Sequence, residues 1–201
     1  MSGYEISKRL IDVVVSTCAM LVTAPIFGAV ALAIKLDSPG PVFFRQTRLR
    51  QDGLPFAMLK FRSMRSDAVQ LRSQLLEANE AKGPVFKIRQ DPRMTRVGRF
   101  LRRASLDELP QLWHVLMGEM SMVGPRPPLP AEVALYEPWQ RERLCVKPGL
   151  TCTWQVGGRS NIPFEQWVQM DIDYIRTRNL GQDLRILLQT IPAVLTARGA
   201  Y

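Results

Sequence analysis

Histidine and cysteine, the residues that most often hold zinc, are scarce in this chain of 201 residues. There is one histidine, His114, and the three cysteines Cys18, Cys145 and Cys152 form no CxxC pair. A structural zinc site needs several such ligands at short spacing, so nothing here supports one. An odd number of cysteines also gives no basis for a disulfide framework, and a reducing compartment is the simpler interpretation.

Acidic residues are also in deficit. The chain has 18 Asp and Glu against 27 Lys and Arg, which gives a formal net charge of +9 at pH 7. Such an excess favours anionic partners, which include nucleic acid, phosphorylated metabolites and acidic lipid headgroups. With 46% hydrophobic and 22% charged residues, the composition is that of a globular protein with room for one domain of ordinary size.

Charge is wholly absent from one long segment, VVVSTCAMLVTAPIFGAVALAI, which covers the 22 residues 13–34. As a straight helix it would extend about 33 Å, enough to cross the roughly 30 Å hydrocarbon core of a bilayer. It lacks an A-x-A cleavage site followed by a polar start, which argues against a signal peptide. A buried soluble helix is the alternative, but the length favours a membrane segment.

A proline within this segment bears on how it lies in the membrane. Pro25 is near its middle, where it removes a backbone hydrogen bond and bends a helix. Either a kinked helix spans the bilayer, or a re-entrant helix enters and leaves on the same face. Basic residues on both sides favour two cytoplasmic ends, although Glu5 and Asp12 weaken the N-terminal signal. We therefore predict a membrane-embedded, re-entrant helix over 1–36 and a cytoplasmic domain over 37–201. The flanking basic residues are Lys8, Arg9, Lys35, Arg45, Arg48 and Arg50.

The rest of the pattern predicts a mainly α fold with a small β-hairpin and strand component. A turn signal at Gln51-Asp52-Gly53 separates two strand-like runs and predicts the hairpin. The leucine stripe of the last predicted helix fits either core packing or an interfacial helix on the membrane surface. The predicted strands are 42–44, 56–61 and 151–156, and the predicted helices are 66–81, 108–117, 131–143, 164–178 and 183–197.

Seven basic residues between 87 and 103 form the densest charged stripe. A solvated face, a nucleic-acid surface and a phosphate site are the three interpretations. Aromatic residues that would stack on bases are few, and the acids Asp107 and Glu108 would repel a nucleic-acid backbone. Because Mg²⁺ takes one or two carboxylates together with phosphate oxygens, arginines beside an acid pair favour a magnesium-bound diphosphate. The stripe contains Lys87, Arg89, Arg93, Arg96, Arg99, Arg102 and Arg103.

An alternative interpretation gives the acid pair a structural role, as a helix cap. In SLDELPQLWHVL, 105–116, Ser105 and Glu108 match a capping box, but that register puts Pro110 where its missing N–H is costly. With Asp107 as the N-cap, Pro110 falls in the first turn and is tolerated. An aspartate there can cap the helix, bind metal or attack phosphorus. The residues alone leave these roles open.

Two loops offer further groups for phosphate. GPRPP, 124–128, holds Arg126 between prolines, and GGRSN, 157–161, places Arg159 and Ser160 beside two glycines. Taken alone, either motif is more often a simple turn. His114 lies in an apolar helix, where we expect a satisfied core or surface histidine rather than a catalytic base.

Four segments carry a more specific signal: SPGPVFFRQTR, KFRSM, DPRMTRVGRFLRRASLDELPQLWHVLMGEMSMVGPRP and KPGLTCTWQVGGRS. In this order they resemble the bacterial sugar transferase family, the monotopic polyprenyl-phosphate phosphoglycosyl transferases, in its compact form. The resemblance implies transfer of a sugar 1-phosphate from a UDP-sugar to undecaprenyl phosphate at the bacterial inner membrane. It also implies that 37–201 is a cytoplasmic catalytic domain that starts surface glycan synthesis.

The resemblance further implies a site and its partners. Asp107 would be the nucleophile, forming an aspartyl phosphosugar, with Glu108 beside it and Mg²⁺ bound around both. The helix break is a Ser-Pro pair in the family and Ala24-Pro25 here, where Thr23 would substitute for the missing hydroxyl. Membrane lipids are expected partners, nucleic acid is not, and a homo-oligomer is left open. By resemblance, Lys60, Arg102 and Arg126 would hold phosphate, and the further expected phosphate-binding residues are Arg62, Arg159 and Ser160.

The chain departs from the family pattern at Arg50, His114 and Cys152, none of which removes a proposed catalytic group. The WQVGGRS segment resembles members that use simple hexoses. The rival interpretation is a membrane-tethered basic module that binds anionic lipid or nucleic acid without turnover.

Overall fold

The computed structural model describes residues 2–80, 83–158, 162–197 and 199. Arg159 and Ser160 therefore lie outside the described residues. The fold is mainly helical with a small β component, as predicted, and the strands form two two-stranded sheets. The α-helices are α1 Gly3–Asp37, α2 Ala68–Leu71, α3 Arg96–Arg103, α4 Gln111–Met117, α5 Pro130–Val133, α6 Thr153–Gly157, α7 Phe164–Thr177 and α8 Leu180–Thr196. The strands are β1 Phe43–Leu49, β2 Pro55–Phe61, β3 Ser121–Val123 and β4 Gly149–Thr151. Short 3₁₀ helices cover Gln51–Gly53, Ser73–Ala78, Leu106–Glu108 and Pro138–Cys145.

Helix α1 is, among the described residues, the one helix long and apolar enough to cross a membrane. Pro25 stands inside it without ending it, so Ala24-Pro25 is not seen as an interruption of the helix. The carbonyl that proline deprives of its usual donor belongs to Leu21, four residues earlier. The Thr23 hydroxyl donates instead to the Ala19 carbonyl, at 2.7 Å. The prediction that the Thr23 hydroxyl takes the place of the missing serine hydroxyl is therefore wrong.

The N-terminal half of α1 is bound to the rest of the protein through polar side chains. The Lys8 ammonium lies 2.9 Å from the Asp183 carboxylate of α8. The buried Asp12 carboxylate accepts hydrogen bonds from the Ser121 hydroxyl at 3.0 Å and from the Met122 N–H at 2.8 Å. Such charge-assisted bonds, largely shielded from water, hold the start of α1 against α8 and β3.

The C-terminal end of α1 packs on the same domain. Val30 and Ile34 are buried against Phe61 of β2 and Leu101 of α3. The last residue, Asp37, accepts a hydrogen bond from the Val97 N–H at 3.1 Å. Both ends of this apolar helix are thus attached to one body. Its exposed apolar side chains are Ile6, Leu10, Val14, Leu21, Val22, Ile26, Leu32 and Leu36.

The β-hairpin is confirmed, and it is longer than predicted. β1 and β2 pair antiparallel, with Phe43 opposite Phe61 and Leu49 opposite Pro55. The connection turns at Asp52 and Gly53, whose φ angles of 61° and 72° lie in the left-handed region that aspartate and glycine tolerate best.

Three predicted elements are wrong in their bounds. The helix expected over 66–81 is only α2 and a 3₁₀ turn, because its apolar side chains Val69 and Leu76 are exposed and gain no packing. The helix expected over 131–143 is divided at Pro138, which begins a separate 3₁₀ helix. The strand expected over 151–156 is β4, which ends at Thr151 and is followed by α6.

Helix α8 presents its apolar stripe to the outside. Ile186 is buried in the core, whereas the other face is exposed. Core packing, one of the two alternatives for this stripe, is therefore wrong for that face. The exposed side chains are Leu184, Leu188, Ile191 and Leu195.

The contact between α3 and the end of the hairpin leads to a stability prediction. A Cβ at Gly98 of α3 would lie 1.9 Å from the backbone carbonyl oxygen of Ser63, far inside van der Waals contact. We expect Gly98→Ala to lower the free energy of unfolding by about 3 kcal/mol, because backbone must move.

Gly157→Ala is the matched control, since a Cβ there meets only the Met170 methyl group at 3.6 Å. Thermal unfolding in detergent measures both variants. Equal melting temperatures for the two would contradict the close approach at Gly98.

Candidate active site

The acid pair lies in a tight turn between α3 and α4. Ser105 adopts a left-handed conformation, with φ of 56°, and a 3₁₀ turn over Leu106–Glu108 follows. Helix α4 begins at Gln111 with Pro110 in the cap position, so the alternative in which Asp107 caps this helix is wrong. The proline fits because a helix start needs no N–H from it.

Glu108 is held by two cations from different parts of the chain. Its Oε1 accepts from the Lys60 ammonium of β2 at 2.7 Å and from the Arg126 guanidinium at 3.1 Å. Burial by itself would raise the pKa of Glu108, but the attraction of Lys60 and Arg126 outweighs it and holds the pKa far below the ordinary value. Glu108 is therefore a permanent anion that positions both cations.

Asp107 is also a buried carboxylate, but its surroundings differ from those of Glu108. Its side chain accepts no hydrogen bond from the described residues, although it is only 6% exposed. Burial raises its pKa above the ordinary value, against the attraction of Lys60, and the neighbouring charge of Glu108 raises it further. A partly desolvated carboxylate with a perturbed pKa and cations nearby is typical of a functional group. Asp107 is free to engage a ligand.

The loop that carries Arg126 is fixed from two sides. The residue after β3 lies so close to the segment before β4 that a Cβ at Gly124 would lie 2.6 Å from the Lys147 carbonyl oxygen. The Arg126 carbonyl accepts from the Arg143 guanidinium at 3.1 Å, and Arg143 is itself paired with the Asp171 carboxylate at 2.9 Å in the protein interior. The proline-rich loop is thus a rigid support for the guanidinium.

Two further basic residues, which are not among the expected phosphate ligands, belong to the site. Arg48 of β1 donates to the Pro127 carbonyl at 2.9 Å, and burial together with repulsion from Arg126 lowers its pKa to about 10. Burial and repulsion from Arg126 also lower the pKa of Lys87 to about 8. The alternation of side chains along a strand indicates Arg48, because the pairing of β1 with β2 places Arg48 on the same face of the hairpin as Lys60. For Lys87, the only signal in the sequence is its membership of the basic stripe.

The other predicted phosphate ligands divide into two groups. Arg102 donates to the Ser63 hydroxyl at 3.0 Å and is close enough to Asp107 to lower its pKa. Arg62 is not brought to the acid pair. Its guanidinium donates to the carbonyls of Ser38 and Pro39 at 2.8 and 2.7 Å, where it closes the turn after α1.

His114 is the satisfied core histidine that the sequence predicted. It is buried, its Nε2 accepts from the Leu59 N–H at 3.0 Å, and its Nδ1 lies 2.6 Å from the Glu119 carboxylate. The Leu59 bond requires an unprotonated Nε2, so the proton of the neutral ring is on Nδ1. This ring joins β2 to α4 and so places Lys60 beside the acid turn.

A divalent cation fits the acid pair. The described residues contain no cluster of three or more His, Cys, Asp or Glu side chains that would form a complete protein cage for a metal. Mg²⁺ does not need one, because it is bound through one or two carboxylates together with water and substrate phosphates. The carboxylate of Asp107, without a hydrogen-bond donor and adjacent to Glu108, suits that mode of binding.

Comparison with known proteins gives close relatives. The family described as Bacterial sugar transferase matches residues 3–197. The chain is 43% identical over 205 residues to the UDP-glucose:undecaprenyl-phosphate glucose-1-phosphate transferase of Caulobacter vibrioides, with 98% of this chain and 73% of that protein covered. It is 38% identical over 200 residues to the exopolysaccharide production protein ExoY of Sinorhizobium fredii, with 98% and 88% covered.

Some relatives are longer. The chain is 41% identical over 199 residues to the galactosyl transferase CpsE of Streptococcus agalactiae, and that match covers 98% of this chain but 44% of CpsE. The family match nevertheless extends over nearly all of the present chain, including the acid turn, the hairpin lysine and the Arg126 loop. The chain belongs to the bacterial sugar transferase family.

Proposed function

We propose that this protein transfers a hexose 1-phosphate from a UDP-sugar to undecaprenyl phosphate and so starts the synthesis of a surface glycan. The observation that carries the proposal is the pairing of an available carboxylate, Asp107, with an anion, Glu108, that fixes Lys60 and Arg126. Relatives named for glucose 1-phosphate and galactose phosphate transfer to undecaprenyl phosphate, and for exopolysaccharide production, support the choice of substrates.

In the first step, a carboxylate oxygen of Asp107 attacks the phosphorus that bears the sugar. A P–O bond forms to Asp107, the bond to the bridging oxygen breaks, and UMP leaves with that oxygen. No proton is transferred, because the nucleophile and the leaving group are both anions. This step requires that the carboxylate, the phosphorus and the leaving oxygen are aligned and that the phosphate charge is neutralised. Lys60, Arg102 and Arg126 supply both.

In the second step, the phosphate of the lipid attacks the same phosphorus. A diphosphate bond forms, the bond to Asp107 breaks, and the free carboxylate is restored. Covalent catalysis lets one site handle a soluble donor and a membrane-bound acceptor in turn, so the two need not be bound together. The buried Asp107 side chain limits competing attack by water on the intermediate.

Asp107 and Glu108 are the residues that would hold Mg²⁺. When bound there, the ion supplies further neutralisation of diphosphate charge. The protein's own contribution is to keep Glu108 ionised through Lys60 and Arg126, so that a hard anionic oxygen is present at every physiological pH.

We further propose that α1 is re-entrant, entering and leaving the bilayer on the cytoplasmic face. Two attachments support this arrangement: Lys8 near one end pairs with Asp183, and Asp37 at the other end accepts from Val97. A helix that spanned the bilayer would place its two ends on opposite sides of the membrane. One domain could not then contact both ends, whereas here the same domain contacts both. The exposed face of α8 then lies at the membrane surface as an interfacial helix.

Topology gives a direct prediction. In a background without native cysteines, we expect Ser2→Cys to be protected from an impermeant thiol reagent in spheroplasts and labelled after lysis. Asp52→Cys, in the exposed hairpin turn, is the matched control and has the same expected pattern. Labelling at position 2 but not at position 52 in unlysed spheroplasts would contradict the re-entrant arrangement.

The function is tested by UMP release from UDP-glucose and UDP-galactose with purified protein in nanodiscs. We expect rapid turnover that requires Mg²⁺ and undecaprenyl phosphate, with a lipid diphosphate sugar as product. Binding of anionic lipid without any nucleotide turnover, across a panel of UDP-sugars, would favour a non-catalytic basic module and overturn the proposal.

A further inference from the structure

A polar cavity lies against the first three turns of α1 and takes part in no step of the proposed reaction. It measures about 390 Å³ and is bounded by β3, the segment before β4 and the end of α7. None of Lys60, Asp107, Glu108 and Arg126 lines it, so it is separate from the candidate active site. Its charged lining residues are Glu5, Lys8, Arg9, Asp12, Lys147 and Arg178.

Two of the four lining cations are balanced by carboxylates. The Lys8 ammonium lies 2.9 Å from the Asp183 carboxylate. The Arg178 guanidinium lies 3.1 Å from the Glu5 carboxylate. Because each pair is satisfied within the fold, neither of these cations needs a ligand.

The other two lining cations have no carboxylate partner. Arg9 donates to the neutral carbonyls of Val115 and Leu116 at 2.6 and 2.7 Å, where the end of α4 supplies only a partial negative charge. Lys147 forms no ion pair with any described residue. The two cations are close together, because a Cβ at Gly118 would lie 3.4 Å from an Arg9 nitrogen and 3.6 Å from the Lys147 ammonium. A bound anion would relieve the repulsion between them.

Arg50 adds a third cation beside the cavity. It precedes the lining residue Gln51, and its Nε is buried without a hydrogen-bond partner among the described residues. Burial, together with repulsion from Arg9 and Arg50, lowers the pKa of Lys147. Against these three cations stands one lining carboxylate, Asp12, which accepts two hydrogen bonds from β3 through a single oxygen. The excess of positive charge favours an anion, and phosphate oxygens are well suited to guanidinium and ammonium donors.

The position of the cavity along α1 indicates the source of that anion. The α1 residues that line it end at Asp12, and the uncharged run begins at Val13. Ile6, Leu10 and Val14, which lie in the same turns, are exposed. In the membrane placement of α1 proposed above, the cavity therefore lies where the helix passes from polar to apolar surroundings, at the level of the lipid headgroups.

We propose that this cavity binds the phosphate group of an anionic phospholipid and so fixes the depth at which α1 enters the membrane. The inference rests on the proposed membrane placement of α1, but not on the proposed chemistry at Asp107. The headgroup phosphate is held by Arg9 and Lys147, and the acyl chains lie along the exposed apolar side of α1. A soluble phosphate would offer the same oxygens to these cations but no apolar part for the exposed side chains.

Lys147→Gln tests the site, because it removes a cation without breaking an ion pair. Native mass spectrometry of the full chain in dodecyl maltoside counts the bound phosphatidylglycerol. We expect one tightly bound molecule on the wild type and about a 10-fold higher Kd in Lys147→Gln, from the loss of one charge-assisted hydrogen bond. Arg50→Gln should raise the Kd in the same way. Lys35→Gln is the matched control, since Lys35 is exposed at the other end of α1, and its Kd should stay within about twofold of the wild type.

Cys145 reports where the lipid binds, because it lines the cavity and is exposed. We expect phosphatidylglycerol to slow its alkylation by N-ethylmaleimide, measured on the peptide that contains Cys145, and to slow it less in Lys147→Gln. Phosphatidylcholine, whose own cation offsets its phosphate, should protect Cys145 more weakly.

Two results would overturn the inference. Equal protection of Cys145 by inorganic phosphate at the same concentration would make the cavity a site for soluble anions. An unchanged Kd for phosphatidylglycerol in both Lys147→Gln and Arg50→Gln would show that these cations hold no headgroup. Binding is measured without any sugar donor, so a failure of UMP release would count against the proposed function alone.

Discussion

Asp107→Asn is expected to lower the rate of sugar phosphate transfer by at least about 10⁴-fold, the scale seen when a covalent nucleophile is removed. The two side chains have the same shape, so the turn over Leu106–Glu108 should be kept. The amide, however, cannot attack phosphorus. Because Asp107 accepts no hydrogen bond from the described residues, its replacement breaks no hydrogen bond there, and the two bonds to Glu108 are kept. The measurement is steady-state product formation with UDP-glucose and undecaprenyl phosphate.

The matched control for Asp107→Asn is Asp52→Asn. Asp52 is exposed in the hairpin turn, and asparagine tolerates its positive φ at least as well. We expect wild-type turnover from this variant and an unchanged melting temperature from both. Turnover in Asp107→Asn within a few-fold of the wild type would remove Asp107 as the nucleophile.

Glu108→Gln is expected to lower kcat by about 10²–10³-fold, comparable to removal of one electrostatic group from an active site. The amide has no charge with which to hold Lys60 and Arg126, so both cations lose their orientation, and a ligand for Mg²⁺ is lost with them. Glu77→Gln, the same change at an exposed position, should leave kcat unaltered. A wild-type kcat in Glu108→Gln would show that the ion pairs are dispensable.

The residual activity of Glu108→Gln should have a changed pH dependence, which an unfolded protein would not give. Asp107 acts as a nucleophile only when ionised, so the rate falls as the pH drops through its pKa. Burial and the charge of Glu108 raise that pKa in the wild type. Removing the charge of Glu108 lowers the pKa of Asp107, and the acid limb of residual UMP-burst activity should move to lower pH. A shift to higher pH would contradict the coupling of the two carboxylates.

Patterns among neighbouring residues predicted the elements that depend mainly on the local sequence. The Gln51-Asp52-Gly53 turn and the flanking strand residues predicted the hairpin, and the uncharged run over 13–34 predicted α1. His114 was predicted to be a satisfied core residue because it lies in an apolar helix, and its two partners confirm this. The acid pair could be identified as unusual, but only the family resemblance suggested a role for Asp107.

The remaining site geometry depends on contacts between distant parts of the chain. Nothing local to Arg62 indicates that it binds the carbonyls that follow α1, and nothing local to Arg48 indicates that it supports the Arg126 loop. The alternative in which Asp107 caps α4 is wrong for a similar reason. A left-handed Ser105 inserts a 3₁₀ turn before α4, and the spacing of apolar residues does not reveal it.

The central claim is that Asp107 carries the sugar phosphate between donor and acceptor. Intact-protein mass spectrometry after incubation with UDP-glucose and Mg²⁺, without any acceptor, tests it most directly. We expect a mass increase of one hexose phosphate that maps to the peptide containing Asp107, is absent in Asp107→Asn, and disappears when undecaprenyl phosphate is added. Turnover in the complete reaction, with no adduct under any quench condition and with UMP released only when the acceptor is present, would contradict the claim and indicate direct transfer.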